Sequence, residues 1–185
     1  MKTIQIFSFE ELSPEAQEVA LEQFKLDIDR GVIPPSYDHD PIIEGITEDL
    51  NEMGIDNVDV RYTGFWSQGD GLSFTGEVGD VPLFIERLGL KIDKNSEINF
   101  VRGSSRYSHE NTVHTELSID CEEKLSAESW NKAYDLIEEW RKSKCKEFYN
   151  RLEKYYDECN SEESLKDELI EREYHFTEKG KKVNL

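Results

Sequence analysis

The segment running Gly64, Phe65, Trp66, Ser67, Gln68, Gly69, Asp70, Gly71 is the stretch of this sequence best equipped to recognise something. Glycine permits positive φ and close backbone approach. Trp66 offers a flat stacking surface, and Ser67, Gln68 and Asp70 offer directional hydrogen bonds. Such a loop can grip a nucleotide base, a peptide or a partner's loop. It is not a Walker phosphate loop, because no Lys-Ser/Thr pair follows the glycines. It is not an EF-hand calcium loop either, because the alternating acids are missing. The plainer account is a hairpin turn whose Trp66 plugs the core, since Gly-Asp-Gly is ordinary turn material.

A second concentration of chemistry lies at Arg102, Arg106, Tyr107, His109, Asn111 and His114. Cations and imidazoles are what an anion site or an acid–base pair would use. A hydrolase or nuclease would draw on Asp70, His109 and His114. The spacing argues against a shared metal, because residues five apart on a regular strand face opposite ways. A solvated sheet face accounts for the same residues. The three cysteines, Cys121, Cys145 and Cys159, make neither a zinc pattern nor a disulfide framework. Cys145 and Cys159 sit along one expected helix, roughly 20 Å of rise apart, too far for one ion. No metal or cofactor is expected.

These groups need elements to hold them. Val58–Phe65 and Leu72–Val78 read as strands flanking the glycine loop. Thr3–Phe9, Ile98–Arg102 and Tyr107–Asp120 read as further strands. The last of these is apolar at its ends and polar in the middle, so it faces water or lines a site. Ser13-Pro14-Glu15 and Asp40-Pro41 start two helices. Their apolar faces are Ala16, Val19, Ala20, Phe24 and Ile28, then Ile42, Ile43, Ile46, Leu50 and Met53. Pro82–Leu90 fits a short helix. Ser126 caps a long helix to about Cys159, with Trp130, Ile137, Trp140 and Phe148 on its inner face. Tyr149 and Tyr156 lie off that face and suit an oligomer contact. A further helix spans Glu162 to Glu173. The economical architecture is one α+β domain over 1–185. It has a mostly antiparallel sheet of three to five strands packed by helices, the long aromatic-rich helix among them.

Charge narrows the partner. The net charge is −19, and residues 1–60 alone hold 15 acids and three bases. Direct binding to nucleic acid or to a membrane surface is not expected, because phosphates need cations. The two first helices must turn Glu15, Glu18, Glu22 and Glu48 outward. That makes an acidic face suited to a protein with a basic surface, in the manner of a DNA mimic, or suited only to solubility. Residues 1–12 show no signal-peptide run, and no stretch approaches the roughly 20 apolar residues of a membrane span. With free thiols, the expected location is the cytoplasm.

Three stretches carry a resemblance: SFEELSPEAQEVALEQF, YTGFWSQGDGLSFTGEV, and FYNRLEKYYDE with YHFTEKGK. They resemble a family of small acidic proteins carried by phages and prophages, some labelled antitoxin of a toxin–antitoxin stability system. Val81–Asn99 has less in common with it. The resemblance implies partner binding rather than chemistry, in a host cell's cytoplasm. The expectation is a phage-type protein that blocks a host-defence or toxin protein. The alternative is a small-ligand binder, such as a sponge for a nucleotide signal. Its pocket would join Trp66, Ser67, Gln68 and Asp70 to Arg102, Arg106, His109 and His114.

Overall fold

The computed structural model describes residues 5–34, 38–118 and 126–183. The chain packs as two units, His39–Glu153 on one hand and Met1–Asp38 with Lys154–Leu185 on the other. Each has its own apolar cluster.

In the unit His39–Glu153, α2 (Asp40–Asn51) starts with a proline in its first turn. It leads into β1 (Ile55–Thr63), which pairs antiparallel with β2 (Gly71–Val78). A short helix, α3 (Val81–Leu88), follows. The Asp80 side chain accepts the Leu83 N–H at 3.0 Å to start it, and Gly89 ends it in the left-handed region. Then come β3 (Glu97–Arg102) and β4 (Val113–Ser118), completing an antiparallel sheet of order β1-β2-β3-β4. The long helix α4 (Ala127–Cys159) comes next, and its last residues belong to the other unit. The chain is α+β, with the antiparallel sheet and long aromatic-bearing helix that the periodicity predicts.

Strand alternation puts Leu72, Phe74, Ile98 and Phe100 on the buried face of the sheet. They meet Ile46 and Leu50 of α2, Phe84 of α3 and Ile137 and Phe148 of α4. Phe74 and Phe100 pack edge to face with centroids 5.5 Å apart, and Trp140 packs edge-on against Phe84 at 5.1 Å. Each such side chain contributes about 1.5–3 kcal/mol by leaving water. The opposite sheet face carries Asp59, Arg61, Thr75, Glu77 and Asn99. It is mostly polar.

One polar interaction crosses this core. Arg141 is fully buried, and its Nη2 donates to Glu138 Oε2 at 2.5 Å. Glu138 Oε1 accepts the N–H of Thr115 in β4 at 2.8 Å. Arg141 Nη1 donates to the Glu110 carbonyl at 2.9 Å. The edge strand and the loop before it are thus tied to α4. Burial by itself raises the Glu138 carboxyl pKa. The hydrogen bond from Arg141, the Thr115 amide and the guanidinium charge outweigh it and hold that carboxyl below the usual range.

In the second unit, α1 (Pro14–Asp29) starts where Ser13 Oγ accepts the Ala16 N–H at 3.3 Å. It packs with α5 (Glu162–Glu171) and a small hairpin, β5 (His175–Phe176) with β6 (Lys182–Val183). Phe9, Ala16, Ala20, Leu21, Phe24, Leu165, Leu169 and Phe176 form its core.

Four expectations need correction. Thr3–Phe9 is no strand in its described part. Phe7 makes a single bridge to Phe176, and Phe9–Glu11 turns as a 3-10 segment, with Glu11 accepting the Ser8 N–H. Of Tyr107–Asp120 only Val113–Ser118 is strand, and Ile119 and Asp120 lie outside the described residues. Val19 is 42% exposed, because the buried stripe runs through Ala16, Ala20, Leu21 and Phe24. At 3.6 residues per turn that stripe is centred roughly 120° from Val19. Trp130 is half-buried against Tyr134 rather than packed on the core, whereas Trp140, also half-buried, does pack on Phe74, Phe84 and Phe100. Cys121 also lies outside the described residues. Among the described residues, no helix is long and apolar enough to cross a membrane.

Removing Glu138 strands a buried guanidinium. Glu138→Ala is therefore expected to cost roughly 3–5 kcal/mol at neutral pH. The carboxyl is lowered in the fold, so its contribution is complete above the unfolded glutamate range and is lost as pH falls through the folded value. Melting curves of the parent and Glu138→Ala proteins should therefore converge on acidification. A gap that does not narrow would show that the pair does not carry this stability.

Candidate functional site

The loop between β1 and β2 is fixed from several sides. Asp70 Oδ2 accepts the Ser67 N–H at 2.7 Å, and the Asp70 N–H returns to the Ser67 carbonyl at 3.1 Å. Tyr149 of α4 donates its hydroxyl to the Gly64 carbonyl at 3.3 Å. Phe65 turns inward between Tyr62 and Tyr149, stacked on each with centroids 6.1 and 5.8 Å apart. His39 adds an edge at 6.2 Å, and its Nδ1 is hydrogen-bonded to the Tyr62 hydroxyl. Burial raises the Tyr149 hydroxyl pKa, helped by the charges of Glu153 and Asp70.

The next residue touches the Phe65 ring, with centroids 5.6 Å apart, but is far more exposed. Trp66 has φ +64 and is 67% exposed. Left-handed backbone at a bulky residue is strained, by about 1–3 kcal/mol. The core plug is Phe65, so the expectation that Trp66 fills the core is wrong. Ser67 and Gln68 are also exposed, and Asp70 is half-buried beneath them.

The second cluster comes to this loop in part. The segment from Gly103 to Thr112 lies against it. The Ser108 N–H donates to Thr63 Oγ1 at 3.2 Å. A Cβ on Gly69 would sit 3.2 Å from the Tyr107 ring, with φ at +93. A Cβ on Gly71 would come within 2.6 Å of His109 Cβ. Both positions therefore demand glycine for contact with this segment. Arg102 Nη1 donates to the hydroxyls of Ser73 and Ser108 at 3.2 and 3.1 Å. Arg106 is exposed and lies over the Tyr107 ring, 4.7 Å from its centroid. His109 Nδ1 accepts the Asn111 N–H at 3.2 Å. His114 stands apart, exposed on β4 with Glu116 at 3.5 Å.

Glu15, Glu18 and Glu22 are exposed on α1, and Glu48 is exposed on α2 in the other unit. None of the four makes an ion pair among the described residues. Hydrogen bonds from its own amide and from Ser13 at the helix start lower the Glu15 carboxyl pKa.

His39, Tyr62, Phe65 and Tyr149 were not picked out from sequence as a group. The one signal was Tyr149, off the main helical face, and the structure sets its hydroxyl and ring against the loop.

Residues 39–99 match a domain of unknown function, DUF8835. The matched span holds α2, β1, the glycine loop, β2 and α3. No curated protein matches the chain, and no solved structure does.

The unequal burial of these two adjacent aromatics, whose rings still touch with centroids 5.6 Å apart, is testable by stability alone. Phe65→Ala is expected to cost roughly 3 kcal/mol, since it removes the centre of a stack. Trp66→Ala is expected to stay within about 0.5 kcal/mol, as a surface substitution. Denaturant melts of the two variants check this. Equal losses would mean that the indole is packed after all.

Proposed function

We propose that this is a binding protein of a mobile element, phage-type in character, that neutralises a host-defence or toxin protein by occupying its surface in the host cytoplasm. The observation that carries the reading is Trp66, two-thirds exposed in left-handed backbone on a braced loop. Tryptophan dominates interface hot spots because it offers a large apolar area with few rotamers to freeze. A rigid loop adds little ordering cost on association. The resemblance to small acidic phage proteins and antitoxins supports the blocking role.

The acidic helices support a basic partner. Glu15, Glu18, Glu22 and Glu48 are exposed and make no ion pair among the described residues, so their field is available to steer a positively charged surface. The small-ligand alternative draws on Arg102 and His109. Their contacts are internal: Arg102 holds two serines, and His109 packs on Gly71. Blocking by surface contact is the better fit to the geometry.

The test is affinity capture from a bacterial lysate followed by titration of the captured protein. Trp66→Ala should weaken that complex by about 2 kcal/mol or more, mainly in the off-rate. Reversing Glu15, Glu18, Glu22 and Glu48 to lysine should weaken it and flatten its salt dependence, with folding intact. Unchanged affinity in the tryptophan variant would remove the loop from the interface. Unchanged salt dependence in the quadruple variant would remove charge complementarity.

A further inference from the structure

We infer that the β1–β2 and β3–β4 hairpin tips form one contact surface, and that it docks a protein patch with an apolar pocket for Trp66 and a carboxylate for Arg106. This rests on the blocking role proposed above, and names the partner's chemistry where the loop meets it. Steering by the acidic helices is a separate effect, exerted before contact.

The antiparallel order β1-β2-β3-β4 puts both tips at the same end of the sheet. They touch there. The Ser108 N–H reaches Thr63 Oγ1, and the Tyr107 ring lies so close to Gly69 that a Cβ would sit 3.2 Å from it. Both tips are braced. Asp70 holds the Ser67 N–H at 2.7 Å, Ser105 Oγ accepts the Tyr107 N–H at 3.1 Å, and Arg141 holds the Glu110 carbonyl at 2.9 Å. A braced surface loses little freedom on binding.

Its charge differs from that of the rest of the chain. Residues 64–69 and 103–109 hold no acid, in a sequence with 41. The flanking acids face internal partners: Asp70 takes the Ser67 N–H, and Glu110 lies 3.8 Å from Lys146 Nζ. Arg106 is exposed and makes no ion pair among the described residues. Its guanidinium lies over the Tyr107 ring, 4.7 Å from the centroid, and Nη2 donates to the Tyr107 hydroxyl. That contact holds a long side chain in place and leaves the remaining N–H donors of the fork for a partner. A carboxylate matches them in geometry and in charge. Tryptophan, tyrosine and arginine are also the residue types that dominate interface hot spots. Nucleic acid fits less well, because a phosphate backbone calls for several cations and these tips expose one.

The probe is a library of random heptapeptides on beads, selected on the parent chain and counter-selected on Trp66→Ala. A net charge of −19 attracts basic peptides by itself, and the counter-selection removes those. The retained peptides should pair Asp or Glu with a large apolar residue. One of them, titrated, should bind Arg106→Gln about tenfold more weakly, the loss of one charged hydrogen bond. Arg106→Lys should fall between, because it keeps the charge without the fork. Both variants alter an exposed side chain and should melt with the parent. Retained peptides without an acid, or equal affinity for Arg106→Gln, would overturn the carboxylate and leave Trp66 as the anchor. If no peptide survives the counter-selection, the tips are not a contact surface, and the role given to Trp66 falls with this one. A single-stranded oligonucleotide that binds the parent at physiological salt, and Arg106→Gln far less, would put nucleic acid in place of the protein patch and overturn the inference.

Discussion

Glu138 and Arg141, one turn apart on α4, hold together the unit that carries the candidate site. An edge strand exposes a row of unpaired amides, which natural sheets cover or blunt. Here the cover is one carboxylate oxygen on the Thr115 amide. Its other oxygen holds Arg141, whose second nitrogen fixes the Glu110 carbonyl. Glu110 belongs to the segment Gly103–Thr112, and that segment lies on Gly69 and Gly71. A buried ion pair is a weak source of net stability against an apolar alternative, but it is directional. It fixes where helix, strand edge and loop meet, which apolar contact does not. Next to it, burial pushes the Cys145 thiol up to about 11, so that cysteine is an inert part of the core.

The regular elements were legible because their signals are local. Ser13-Pro14, Asp40-Pro41, Ser161 before Glu162 and the apolar stripe of α4 each declare a helix within a few residues. The sheet strands were legible for the same reason, with ends shifted by the irregularity between Asp56 and Asp59. The strand expected from Tyr107 failed because alternation of polar residues mimics a strand face. Antiparallel pairing of Arg102 with Val113 requires the chain between them to reverse, and since the Gly103 N–H still reaches the Thr112 carbonyl, residues 104–111 are given over to that reversal. The strand expected at Thr3–Phe9 failed for a different reason. Ser8 and Glu11 satisfy each other's neighbourhood locally, and that turn competes with extension.

The candidate site was legible only as two separate motifs. Their contact depends on residues far apart in sequence, Thr63 with Ser108 and Gly64 with Tyr149. No periodicity encodes such pairings. The charge asymmetry was visible at once, and the exposure of Glu15, Glu18, Glu22 and Glu48 follows from amphipathic helices whose other faces are filled.

Phe65 and Trp66 are equally able, by type, to fill a core, and the backbone decides between them. In extended chain, neighbouring side chains point to opposite faces, so one of the two must leave the aromatic stack. At Trp66 the backbone is left-handed, and the indole is two-thirds exposed with its centroid 5.6 Å from that of Phe65. Such strain persists only where the surroundings over-determine it. They do so here: Phe65 is wedged between Tyr62 and Tyr149, Asp70 closes the turn on Ser67, and Tyr107 and His109 sit against the glycines. Relaxing Trp66 into extended backbone would break the Asp70 turn or pull Phe65 from its stack. The packing beneath therefore keeps two-thirds of Trp66 exposed while its ring rests on Phe65. A stable fold does not require that expense at a loop tip, since glycine or asparagine adopts the same φ more cheaply. The residue type is what a contact surface needs, and the local packing keeps it in place before any partner arrives.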